Sequence, residues 1–167
     1  ETQKTDLSHL YEINYYTTGE FMELDLTARR NLELTETLRG GEKKGSLLWV
    51  LDKTCTAMGH RLIRSWLERP LLSPVQIGKR QGAVADLAAD MVSRQELERE
   101  LREVTDLERL IGRMVYGTAG GRDMVALSRG LGKLPQLRLL LSPFPSSLLA
   151  VLRENLDDLA DLRGAID

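Results

Sequence analysis

Met58-Gly59-His60-Arg61-Leu62-Ile63-Arg64-Ser65-Trp66-Leu67-Glu68-Arg69-Pro70 is the stretch that sets the fold class. Met58, Leu62 and Trp66 recur at i, i+4 and i+8, with Ile63 and Leu67 beside them. That is an apolar stripe at helical spacing, and His60, Arg61, Arg64 and Glu68 occupy the other face. Pro70 ends the helix, because the residue before a proline is driven out of the α region. Gly59 lies inside it, where glycine costs about 0.5–1 kcal/mol relative to alanine. Close approach of another backbone segment is its expected reason.

Toward the C-terminus the same period continues. Ser73-Pro74 supplies a hydroxyl cap and a first-turn proline. Two capping boxes are expected, Ser93 with Glu96 and Thr105 with Glu108. Leu97, Leu101 and Val104 follow the first, and Leu107, Leu110, Ile111 and Met114 follow the second. After the loop Gly117–Gly121, a helix from near Asp123 is expected to carry Met124, Leu127, Leu131 and Leu134 inward until Pro135 stops it. Beyond the turn at Ser142–Pro145, one or two helices carry Leu148, Leu152, Leu156 and Leu159, without a stop signal before Asp167.

Toward the N-terminus the pattern changes. Tyr15–Thr18 and Phe21–Leu24 flank Gly19-Glu20 and read as a short hairpin, with Leu32–Leu34 as a further short strand. Gly40–Gly45 is a polar turn. The fold class is therefore mostly α: a multi-helical core with a small β element near the N-terminus, incomplete at the C-terminal end.

The chain has 167 residues, enough to bury one core without staples. Its net charge of −2 argues against a domain held to nucleic acid by bulk charge alone. The total hides an asymmetry. Arg29–Arg69 holds nine Lys/Arg and five Asp/Glu, while Asp86–Leu110 holds eight Asp/Glu and four Arg. Solvated faces laced with i,i+4 pairs are the plainest account of the acidic stretch. Cys55, the single cysteine, excludes an internal disulfide and a cysteine-based zinc cluster. No signal peptide or bilayer-length apolar run is present, which fits a reducing cytoplasm. The chain starts at Glu1, as expected of a piece of a longer protein.

No constellation in the sequence carries chemistry. Gly40-x-x-x-x-Gly45 has Ser46 where a phosphate loop needs lysine, and no hydrophobic strand leads into it. Asp157-Asp158 and Glu98/Glu100 sit among polar neighbours, without the desolvation that separates catalytic pKa values. Cys55 and His60 are five apart and do not face each other on a helix; Cys55 reads as a small, partly buried residue near a helix start. Arg29-Arg30-Asn31, with the carboxylate of Asp25 nearby, suits phosphate contacts or a fixed network, and the network is favoured.

Several ordered stretches together resemble one family. They are Leu24–Leu34 (Leu-Asp-Leu-Thr-Ala-Arg-Arg-Asn-Leu-Glu-Leu), Leu38–Gly41, Gly45–Leu48, Leu51–Leu62, Trp66–Leu71, Arg80–Val84, Asp106–Arg113 and Arg122-Asp123. The chain resembles the core domain of the bacterial MutS family of DNA mismatch recognition proteins. Thr27 stands one place before the position where members often carry threonine, here Ala28. Phe21-Met22-Glu23 imitates the family's mismatch-reading Phe-x-Glu in letters only.

The resemblance implies that residues 1–22 end a connector domain and 23–167 form a partial core, with lever helices and clamp missing. It implies a non-catalytic structural core that transmits conformational state between an ATPase and DNA-contacting parts. ATP and magnesium belong to the parent protein and not to this fragment. Duplex DNA with mismatches, a MutL-type repair partner and a homodimer are implied for the parent; a membrane is not. Asp25, Arg29, Arg30 and Asn31 are the first candidates for an interdomain network. Asp52, Gly59 and Arg61 complete it. The basic segment either forms charged joints or faces a DNA channel. A helical protein-interaction module, bound through its acidic helices, is the alternative.

Overall fold

The computed structural model describes residues 19–166. Among them run ten helices: α1 (Leu26–Asn31), α2 (Leu47–Leu51), α3 (Ala57–Glu68), α4 (Pro74–Ala89), α5 (Met91–Arg102), α6 (Leu107–Val115), α7 (Gly121–Leu131), α8 (Leu134–Leu140), α9 (Ser147–Asn155) and α10 (Ala160–Ile166). The mostly helical class is as the periodicity predicts.

Short polar side chains start most of these helices. Ser46, Thr56 and Ser73 accept from the amides of Trp49, Gly59 and Gln76. Each satisfies one of the amides a helix start leaves without a partner. Two caps differ from the expected boxes. Asp90, not Ser93, caps α5, and Ser93 donates to it through both amide and hydroxyl at 3.0 and 2.6 Å. Asp106, not Thr105, caps α6, and Thr105 Oγ1 donates instead to the Ala126 carbonyl. Aspartate competes equally well for the cap, so the boundary moves with whichever carboxylate the preceding turn brings into reach.

The main core is a cluster of Ala83, Leu97, Leu110, Leu127, Leu131, Leu134, Leu137, Phe144 and Leu149. α4 packs on α9 and α5, α5 on α8, and α7 on α6 and α10. Two polar ties reinforce it: Asp86 Oδ2 accepts from the Ser146 amide at the head of α9, and Lys133 Nζ donates to Glu100. A smaller cluster stands apart, with Leu34, Ser46 and Leu48 buried where α2 packs on α3.

The expected hairpin falls partly on Tyr15–Thr18, outside the described residues; within them Phe21 makes an isolated antiparallel bridge to Leu71. Other local expectations give way. Leu32–Leu34 is a turn rather than a strand; Glu33 adopts φ 47°, and the carbonyls of Glu33 and Leu34 receive the amides of Leu47 and Leu48. Pro135 opens α8 rather than merely ending α7. Met124 is exposed, and so are Leu62, Trp66 and Leu152, so the stripe on α3 faces outward more than its period suggests. Leu156 and Leu159 lie between α9 and α10, yet both pack on the core.

Candidate functional site

The basic segment meets the acidic one at Arg61. From α3, Arg61 Nη1 and Nη2 donate to the two carboxylate oxygens of Asp106 at 2.9 and 2.7 Å, and Nε donates to Glu108 Oε2 at 2.8 Å. This is the planar fork that only arginine offers a carboxylate. Asp106 also caps α6 by accepting the Arg109 amide at 3.2 Å. One carboxylate thus fixes a helix start and receives the joint. The Arg61 hydrogen bonds hold Asp106 below the usual carboxylate range, and the two acids push Arg61 upward.

One residue earlier, His60 closes a second junction. Its Nδ1 meets Asp52, and its Nε2 lies 3.2 Å from Lys43 Nζ. Lysine has only protons to give, so Nε2 accepts and Nδ1 carries the hydrogen toward Asp52. Asp52 also accepts from Thr54 Oγ1 and the Thr54 amide, at 2.6 and 3.2 Å. Those bonds, led by the Thr54 hydroxyl and joined by His60, hold its carboxyl below the ordinary value. The Gly40–Gly45 turn is thereby tied to α3. Both imidazole nitrogens are engaged, so His60 is no base for Cys55.

The turn itself does not fit a nucleotide phosphate. Ser46 is fully buried, donates to the Lys43 carbonyl at 2.8 Å and caps α2 at Trp49. Its hydroxyl and its helix start are already used. Among the described residues no group of three His, Cys, Asp or Glu side chains gathers that could hold a metal, and no helix is long and apolar enough to cross a membrane.

The residues of the expected network fall into separate places. Asp25 caps α1 by accepting the Ala28 amide at 2.6 Å and pairs with neither arginine. Arg29 Nε donates to the Leu24 carbonyl at 2.9 Å. Arg30 lines a cleft of about 540 Å³ with Arg29, Thr35, Thr37 and Glu68. Asn31 is exposed at the end of α1. Asp52 and Arg61 sit in the two junctions above. Gly59 is tight for a nearer reason than expected: a Cβ there would stand 3.0 Å from Oγ1 of Thr56, the cap of its own helix, and 3.2 Å from Cβ of Thr54, two residues ahead of that cap. Asp106, Glu108 and Lys43, which complete the junctions, were not among the candidates. A pairing across 45 residues leaves no periodic trace in a sequence.

The family profile for MutS domain III matches residues 27–167. Proteins named DNA mismatch repair protein MutS from Alkaliphilus oremlandii, Symbiobacterium thermophilum and Lachnoclostridium phytofermentans are 51%, 48% and 47% identical to this chain. The matches cover 99%, 100% and 99% of the chain but 19%, 19% and 18% of those relatives. The chain therefore spans about a fifth of their length.

Proposed function

This chain belongs to the MutS family, through its domain III, and from that premise we propose that it is a non-catalytic core that relays conformational state within a mismatch-repair protein. The observation that supports the reading best is the Arg61 joint. α2 packs on α3 outside the main cluster that α4–α10 share, and a fork of charge-assisted bonds spans from α3 to α6. Rigid units joined by a discrete, breakable contact are the hardware of a relay, because packed bodies shift as wholes rather than deform.

In this reading residues 1–22 end a connector and residues 23–167 belong to the core. ATP, magnesium, mismatched duplex DNA, a MutL-type partner and a second copy are engaged by the longer family proteins, acting in the cytoplasm. The chemistry is left to parts other than these ten helices. The interaction-module alternative is weaker, since four acids of its supposed docking face are already used inside: Asp86, Asp90, Glu100 and Asp106.

The test is a full-length family protein carrying this 167-residue segment as its own domain III. Arg61→Ala is expected to leave basal ATP hydrolysis intact while reducing the change in hydrolysis that mismatched DNA induces. Unaltered coupling in that variant, or ATP turnover by the 167-residue chain alone, overturns the reading.

A further inference from the structure

The chain turns back at Pro70 and Leu71 between α3 and α4, and Trp66 meets Arg80 beside that turn. The guanidinium carbon lies 3.5 Å from the centroid of the indole ring. Next to the pair is a groove of about 520 Å³ walled by Pro70, Leu71, Ile77, Val84 and Ala85, with Gln81 at its edge. Trp66 is 40% exposed and Val84 66% exposed.

Arg80 differs from three arginines that are spent on ion pairs and stacks instead on an aromatic ring. Arg61, Arg64 and Arg113 each hold a carboxylate within 3 Å. Among the described residues no carboxylate and no hydrogen-bond acceptor serves Arg80; burial alone acts on it and lowers its pKa. A guanidinium partly withdrawn from water loses hydration that no acceptor in the described fold replaces. Stacking on indole offsets part of that cost through the ring's negative face, and it leaves the in-plane N–H donors open. Arginine and tryptophan, held together and partly desolvated, are the residue types on which binding energy concentrates.

We infer that this groove docks a polypeptide segment bearing a carboxylate side chain flanked by apolar ones, the acid on Arg80 and its neighbours against Leu71, Ile77 and Val84. The charge is complementary and so are the walls. A nucleic-acid strand fits poorly. It needs successive cations and a bare aromatic face, whereas here one cation stands among apolar walls and already covers Trp66. The inference goes beyond the relay role and does not depend on it.

The experiment selects displayed random 12-residue peptides on the immobilised 167-residue chain and measures the enriched ones by fluorescence anisotropy. The expected peptides carry Asp or Glu beside Leu, Ile, Val or Phe. Arg80→Gln should weaken them about tenfold or more, and so should Asp→Asn or Glu→Gln in the peptide itself, which leaves the protein untouched. Arg30→Gln, on the other cleft, should change nothing. Enrichment of peptides without an acid, affinity indifferent to Arg80→Gln or to the peptide amide, no enrichment over the bare support, or oligothymidylate binding abolished by Arg80→Gln would each overturn the assignment.

Discussion

Arg61 and Asp106 are joined by two parallel hydrogen bonds of 2.9 and 2.7 Å, although 45 residues separate them in the chain. The same aspartate caps α6. Its two duties are separable by substitution, which makes the joint open to measurement.

Asp106→Asn keeps a good capping oxygen and discards the charge, so only the joint is weakened. Asp106→Ala removes both and should cost about 1 kcal/mol more for the lost cap. Arg61→Ala should lower Tm only slightly, by no more than about 3 °C, since the pair is open to solvent. Arg61→Lys should not restore it, because a point charge cannot fork. Thermal melts of the four variants check the ranking, and equal melts for Asp106→Asn and Asp106→Ala would contradict the cap.

Acid should expose the same groups. Asp52, Asp90 and Asp106 are held below the ordinary range by Thr54, Ser93 and Arg61 respectively. A depressed folded pKa contributes stability that is complete above the unfolded value of about 3.9 and is lost as pH falls through the folded value. Urea midpoints should therefore be nearly flat from pH 7 to 5 with respect to these groups and fall below about pH 4. The fall should be shallower in Asp106→Asn and Asp90→Asn. An unchanged slope in both would remove these carboxylates as its cause.

Gly130 is the tightest glycine. A Cβ there would stand 2.6 Å from Thr105 Oγ1, the hydroxyl that donates to Ala126. Gly130→Ala should destabilise by about 1–3 kcal/mol through overpacking. Combining it with Thr105→Ala should cost less than the sum of the two single changes, because removing the hydroxyl relieves the clash that the new Cβ creates. A strictly additive double variant in denaturant melts would place the strain elsewhere.

Leu48 is fully buried and Leu26 is 84% exposed. Leu48→Ala should cost about 2–5 kcal/mol, and Leu26→Ala no more than about 0.5. Because Leu48 lies outside the main cluster, hydrogen exchange in Leu48→Ala should accelerate first through α2 and α3. Uniform acceleration across α4–α10 would mean that the two clusters unfold as one.

What the sequence made legible follows from range. Ser73-Pro74 and the run from Leu107 to Met114 are local signals: α4 starts where the first dictates and α6 runs through the second. Leu62 and Trp66 mislead because the period reveals which residues share a face, not what lies opposite. Asp90 displaced Ser93, and Asp106 displaced Thr105, because neighbouring caps compete within one turn and the winner depends on the approach of the chain. The site was the least readable part. Arg61 stood among the candidates, but its partners come from another helix, and Asp25, placed beside Arg29 in the chain, spends its carboxylate on its own helix.

The turn that begins at Glu33 and returns at Leu47 is closed at its root by two backbone bonds of 2.9 Å, Leu47 to Glu33 and Leu48 to Leu34. Between those rungs the segment is held again where Lys43 meets His60 and where Ser46 caps α2, which leaves the Gly40-Gly41 tip as its free end. Extra residues spliced between Gly40 and Gly41 would lengthen this end at a cost that grows only with the logarithm of its size. Length variation among relatives should accumulate at that tip, while the rungs stay fixed and the helices beyond them keep their register.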